Sequence, residues 1–148
     1  MRLVRESLNE MNFEKRQSPL DSMGIGQKQL IRNWLDEMGV EGYTIRDDLL
    51  IDVKKHVDLE YKDLKEFPGF IQFDRVYGYF TCNGNDLTSL RGCPKYVKGS
   101  FYCDYNKLKT LDHCPQRVEI SFWCQGNKIQ FSEEYVKKLC DVHVAVLV

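Results

Sequence analysis

This 148-residue chain contains six cysteines. Their thiols have the widest range of possible functions, since thiols bind metals, form disulfides and act as nucleophiles. A zinc site needs close ligand pairs such as Cys-x2-Cys, whereas the nearest cysteines here are ten and eleven residues apart. Free cysteine otherwise packs as a small apolar side chain. We therefore expect core positions, with no metal and no cofactor. The six are Cys82, Cys93, Cys103, Cys114, Cys124 and Cys140.

Other groups that could carry catalysis do not form a recognisable site. His113 precedes Cys114, but a nucleophile and its base must meet in space rather than in sequence. Asp58 and Glu60 suit a solvated strand face, and residues 24–26 lack the third glycine and the later acid of a dinucleotide site. We predict no catalytic residue, so the protein is not expected to be an enzyme.

A string of residues returns with a period of 21 around Cys82, Cys103 and Cys124. The template is Phe-x-Cys-x-x-Asn-x-Leu-x-x-Leu, and its asparagines are Asn85, Asn106 and Asn127. It resembles the leucine-rich repeat pattern Leu-x-Leu-x-x-Asn-x-Leu, with Phe and Cys in the first two apolar positions. Repeats of this length stack as coils of a solenoid.

Each position of the template has a physical reason. Phe and Cys alternate with polar or variable residues, so both point inward from a short strand. The Asn follows where the chain bends, and its amide can satisfy backbone groups of neighbouring coils. Pro94 and Pro115 then disfavour a helix on the convex side. We predict a ladder of the three repeated cysteines and the three asparagines inside an α/β fold with short parallel strands and little convex helix.

The ends of the repeat array differ from the coils. Residues 27–56 predict an N-terminal α/β cap, with a helix from Gln27 to Met38 and then a hairpin of strands at 43–45 and 49–53. Residues 57–131 form the coils, the first of them diverged. Residues 132–148 predict a C-terminal helical cap that begins at Ser132. Residues 1–26 contain Pro19 and two glycines, and we expect a flexible or partner-bound arm.

Strand residues that point away from the core are the candidates for recognition. Aromatic side chains with a polar group are common anchors of protein interfaces, and two of them, Tyr102 and Trp123, fall at equivalent positions of adjacent coils. We predict a partner-binding surface on the concave sheet; the alternative is that these rings cover neighbouring coils or a folded-back arm. The surface comprises Tyr79, Thr81, Tyr102, Asp104, Trp123 and Gln125.

Composition narrows the class of partner. Hydrophobic residues make up 43% and charged residues 29%, which suits a folded chain. The 21 basic and 22 acidic residues balance to a net charge of −1, whereas nucleic-acid binders usually carry a clustered basic face. The longest apolar run, residues 144–148, is far too short to span a membrane. We expect a protein partner, with nucleic acid unlikely and no membrane.

Several strings together resemble small proteins of tailed bacteriophages whose function is unknown. They are residues 18–26, residues 31–35 with 43–45 and 50–53, the Leu-x-Gly-Cys-Pro coils and the ending at 127–131. The resemblance implies the architecture and a phage source, and it brings no established activity. Together with the concave surface it predicts a non-enzymatic binding module in the cytoplasm of an infected bacterial host, acting on a host protein. The alternative is a virion-associated structural protein docked by residues 1–26.

Overall fold

The computed structural model describes residues 25–148. The first element is helix α1, Ile25–Glu37, followed by strands β1, Tyr43–Ile45, and β2, Ile51–Val53, which pair antiparallel as a hairpin. Ile31 and Leu35 of α1 are fully buried, so one apolar face of the helix packs on the core. The predicted arm, residues 1–26, lies outside the described residues except for its last two, which open α1.

Nine further strands and one helix follow. The strands are β3 (Val57–Asp58), β4 (Phe73–Val76), β5 (Phe80–Thr81), β6 (Tyr96–Val97), β7 (Phe101–Tyr102), β8 (Arg117–Val118), β9 (Ser121–Trp123), β10 (Asp141–Val142) and β11 (Ala145–Leu147), and helix α2 is Glu133–Leu139.

The strands form two sheets that the chain visits in alternation. The first sheet has five strands in the order β11-β9-β7-β5-β3, and the second has six in the order β10-β8-β6-β4-β2-β1. All pairs are parallel except β1 with β2. The fold is α/β, with mostly parallel strands stacked in about four solenoid-like turns and few helices. This confirms the predicted solenoid of short parallel strands.

The second sheet was not anticipated in the repeats. Its strands β6 and β8 begin two residues after Pro94 and Pro115, where only a turn was predicted. Proline is tolerated at the start of a strand because its missing N–H is not needed there. Strands of two residues are too short to show an alternating pattern, so they cannot be recognised from the sequence.

The core between the sheets consists of columns of identical side chains. Phe80, Phe101 and Phe122 are fully buried, and their ring centroids are 5.8 and 5.1 Å apart in successive pairs. Val76, Val97 and Val118 occupy equivalent positions of the second sheet. Cys82, Cys103 and Cys124 lie in the same core, at most 1% exposed. Each coil therefore buries its apolar residues against the same residues of the next coil.

The three repeated asparagines bridge the coils at the bends that follow β5, β7 and β9 of the first sheet. Asn106 Nδ2 donates to the carbonyls of Cys82 (3.0 Å) and Cys103 (3.1 Å), while its Oδ1 accepts from the Leu87 amide at 3.0 Å. Asn85 and Asn127 make the corresponding bonds one coil before and one coil after. These amides satisfy backbone groups that a buried bend would otherwise leave unpaired.

The end of the described chain returns to both sheets. The Ser132 hydroxyl accepts from the Tyr135 amide at 3.1 Å, so Ser132 is the N-cap of α2, with Glu133 and Glu134 in its first turn. After α2, β10 pairs with β8 and β11 pairs with β9. Residues 132–148 therefore contain the predicted helix and also extend each sheet by one strand.

Candidate binding face

A row of aromatic rings crosses the outer face of the first sheet. This is the face that was predicted from the sequence to be the concave binding surface. His56 stacks on Tyr79 with ring centroids 3.9 Å apart, and Tyr79 meets Tyr102 edge-on at 6.3 Å. Tyr102 in turn stacks on Trp123 at 5.7 Å. We call these four rings the aromatic row. It runs across four successive coils, with a shift of two residues along the strands between Tyr79 and Tyr102.

Strand register aligns these rings as two pairs, His56 with Tyr79 and Tyr102 with Trp123, offset by two residues along the strands. Tyr102 of β7 pairs with Trp123 of β9, and Thr81 of β5 pairs with Tyr102. Because adjacent parallel strands lie about 4.8 Å apart, side chains at paired positions on one face are in contact. The Tyr79 amide donates to His56 Nδ1 at 2.9 Å, which fixes the imidazole against the next coil.

The six residues predicted to bind a partner lie on this outer face, but they are unequally exposed. Tyr79, Tyr102, Trp123 and Gln125 are half-buried, whereas Thr81 is 4% exposed and Asp104 is 7% exposed. The Thr81 hydroxyl donates to Asn83 Oδ1 on the same face. Thr81 therefore adds little surface of its own, because its small side chain lies between larger neighbours.

Asp104 differs from its neighbours in having a buried carboxylate oxygen without a hydrogen-bond partner. This oxygen, Oδ1, is shielded from solvent. Burial raises the pKa of Asp104 above its ordinary value; a hydrogen bond from its own backbone amide lowers the pKa in part, and the negative charge of Glu60 raises it. A carboxylate in this situation destabilises the fold, since buried polar groups are normally hydrogen-bonded.

The outer face of the first sheet carries only acidic formal charge. Asp58, Glu60 and Asp104 lie at outward positions of the coils, and within residues 25–148 none of the three forms an ion pair. The lysines and arginines of the coils lie on turns and on the second sheet, as with Lys107, which pairs with Asp86 at 3.2 Å. The aromatic row is thus flanked by acids that have no basic neighbour at the outward strand positions.

Two further tyrosines border this face, and they were not among the binding residues predicted from the sequence. Tyr61 and Tyr105 are 70% and 58% exposed, and each ring lies directly on a glycine of the next coil, Gly84 and Gly126. A Cβ at either glycine would lie within 2.4 Å of a ring carbon. The signal was available, because Tyr and Gly alternate at positions 61, 84, 105 and 126 of successive coils.

The outer face of the second sheet has a different character. Arg46 contacts Asp48, Asp52 and Asp74 at 2.8 to 3.1 Å. At the other end of this sheet, Arg117 pairs with Glu119 and Asp141 at 2.8 and 2.9 Å. Arg46 and Arg117 are therefore neutralised by acids of the second sheet, while Arg75 of β4 lies over the Tyr96 ring at 6.0 Å. Within the described residues, Asp58, Glu60 and Asp104 of the first sheet form no ion pair.

The thiols have little nucleophilic character. All six cysteines are free. Burial raises the pKa of Cys93 and Cys103 and raises the pKa of Cys114, Cys124 and Cys140 to about 12. Because the thiolate is the reactive form, the five thiols with a raised pKa stay protonated at neutral pH.

Residues 25–148 show neither a metal-binding cluster nor a membrane-spanning helix. Across residues 25–148, no three His, Cys, Asp or Glu side chains are grouped in a way that could hold a metal ion. No helix in that range is long and apolar enough to cross a membrane. Two open depressions of about 560 and 650 Å³ border α2, and neither is lined by a residue of the aromatic row.

Comparison with known proteins adds no further assignment. A scan against models of protein families finds no match, and searches among curated proteins and among solved structures find none either. The function is therefore argued from the aromatic row and the acids beside it.

Proposed function

We propose that this protein is a non-enzymatic binding module that holds a protein partner on the outer face of its first sheet. The aromatic row carries the proposal. Four rings in contact across four coils, two stacked pairs that meet edge-on, present an amphipathic surface, and aromatic surface patches mark contact sites. On the second sheet the corresponding contact is the smaller one of Tyr77 with Tyr96, with Arg75 over the Tyr96 ring.

The surface suits a protein better than a small molecule. It is an open row rather than an enclosed cavity, and small-molecule sites are concave and enclose most of the ligand. Tyrosine and tryptophan supply contact area at low cost in side-chain entropy. The resemblance to tailed-phage proteins extends the proposal to a partner from the bacterial host. Docking to a virion through residues 1–26 stays a prediction, since that segment lies almost wholly outside the described residues.

The proposal is tested by partner capture with matched variants. Tyr102→Ser combined with Trp123→Ser removes the two central rings of the row. Tyr77→Ser removes a 44%-exposed tyrosine that meets Tyr96 on the second sheet, and it serves as the control. Each protein is immobilised, exposed to bacterial lysate and read by quantitative mass spectrometry, after its thermal unfolding has been recorded.

The expected result is a partner retained by the wild type and by the Tyr77 control, and lost with the double variant at an unchanged unfolding temperature. A partner retained equally by all three proteins would overturn the assignment to this face. Unfolding of the double variant would mean that the rings hold the coils together instead, and the binding proposal would then fail as well.

A further inference from the structure

Asp104 is a local defect in an otherwise well-satisfied fold. The asparagine ladder pairs the backbone groups of the coils, yet Asp104 Oδ1 is buried beside it with no hydrogen-bond partner. Asn83 and Gln125, the outward residues at the equivalent positions of the adjacent coils, are neutral. A neutral residue at 104 would also suit the repeat, so the carboxylate needs a reason outside the free protein.

The surroundings of Asp104 indicate what would satisfy it. Tyr102, two residues before Asp104, stacks on Trp123 of the adjacent strand. The exposed ring of Tyr105 follows Asp104 directly in the chain. Asp58 and Glu60 add negative charge on the same face, and apart from the His56 imidazole of the aromatic row no basic side chain lies at the outward positions of the described coils. A cation that lies against aromatic rings and beside a shielded carboxylate gains from both contacts.

Resting on the proposed function, we infer that the face recognises an arginine side chain in a basic segment of the partner protein. The guanidinium would stack along the aromatic row and donate to Asp104. Arginine fits better than lysine because its plane stacks on aromatic faces and presents its donors as a fork to a carboxylate. Asp104 is then a specificity residue, and its unpartnered oxygen is the complement of the ligand.

A peptide pool tests this inference without knowledge of the partner. Hexapeptides with a fixed central arginine and randomised flanks are captured on the immobilised full chain. A second pool carries citrulline at the fixed position, which keeps the shape of the side chain and removes its charge. The variant Asp104→Asn removes the carboxylate, and Asp86→Asn removes an exposed acid on a turn as the control.

Wild type and the Asp86 control should retain the arginine pool about tenfold or more over the citrulline pool, the scale of one charge-assisted hydrogen bond. Asp104→Asn should lose this preference while unfolding at a higher temperature than the wild type. That combination separates a binding role from a structural one, because a merely structural residue would not discriminate arginine from citrulline.

Equal retention of the two pools by the wild type, or an arginine preference that survives Asp104→Asn, would overturn the inference. The failures are distinguishable. If lysate capture still depends on Tyr102 and Trp123 while the arginine preference is absent, the face binds protein by other contacts. If neither dependence appears, both the proposed function and its specificity are wrong.

Discussion

Asn106 connects two successive coils through one amide group. Its Nδ2 donates to carbonyls of the second and third coils, and its Oδ1 accepts from the Leu87 amide. The side chain is 7% exposed, so water cannot replace these bonds. At the residue scale the fold therefore depends on polar groups as well as on its apolar columns.

Asn106→Ala should lower the free energy of unfolding by about 1–3 kcal/mol, because it leaves buried backbone groups unpaired. Denaturant titration measures the change. Gln130→Ala, at an exposed position just after the last repeated Asn, is the control and should be close to neutral. An Asn106 variant as stable as that control would refute the bridging role.

Asp104→Asn should raise the free energy of unfolding at neutral pH by about 1 kcal/mol, since it removes an ionised carboxylate from a shielded site. The folded-state pKa of Asp104 is raised, so its ionised form destabilises the fold above that pKa and this cost disappears as the pH falls through it. The advantage of the variant should therefore shrink in acid.

Thermal unfolding of Asp104→Asn and the wild type between neutral and acidic pH checks this sign. A variant that is less stable at neutral pH, or an advantage that grows as the pH falls, would show that Asp104 stabilises the free protein. The carboxylate of Asp104 would then not require a partner outside the free protein.

Between the two sheets the chain turns through a corner where successive coils almost touch. The Gly99 amide donates to the Gly78 carbonyl at 2.9 Å, just before strands β7 and β5. A Cβ on Gly99 would meet the Tyr79 backbone nitrogen at 2.8 Å and the Gly78 carbonyl group at 2.9 Å. At the scale of elements, close stacking of these corners keeps the paired strands in register.

Gly99→Ala should destabilise the protein by about 1–3 kcal/mol, the usual cost of overpacking, because backbone atoms must move to admit the methyl group. Gly69→Ala is the matched control, since a Cβ there would meet no atom within 4 Å. Equal unfolding midpoints for the two variants would contradict the close approach at the corner.

Elements with a repeated pattern could be predicted from the sequence, and those without one could not. The alternation of Phe80 and Cys82, returning after 21 residues, predicted the strands of the first sheet. The two-residue strands after Pro94 and Pro115 carry no period of their own. For the candidate face, strand alternation was enough to group Tyr102 and Trp123, whereas the burial of Asp104 depends on side chains of adjacent coils that no single repeat reveals.

On the scale of the whole molecule, each coil contacts only its neighbours, as expected for a solenoid. Cys103 lies in the third of about four coils and is fully buried. Cys114, in the bend that follows within the same coil, is partly exposed. Opening of the molecule should therefore expose these two thiols at different rates.

Under native conditions an alkylating reagent should modify Cys114 faster than Cys103, because Cys103 reacts only after the central coils separate. Peptide-resolved mass spectrometry over time measures both rates in one sample. Cys114→Ser is the control and should leave the rate at Cys103 unchanged. Modification of both thiols at one rate would indicate that the described residues open in a single step.

A protein partner on the outer face of the first sheet can be detected in bacterial cells by photocrosslinking. Benzoylphenylalanine is placed at residue 102 or, on the second sheet, at residue 77. We expect a discrete protein adduct from position 102 and none from position 77. Adducts of equal yield from both positions, or an adduct from position 77 alone, would show that the partner does not bind on this face.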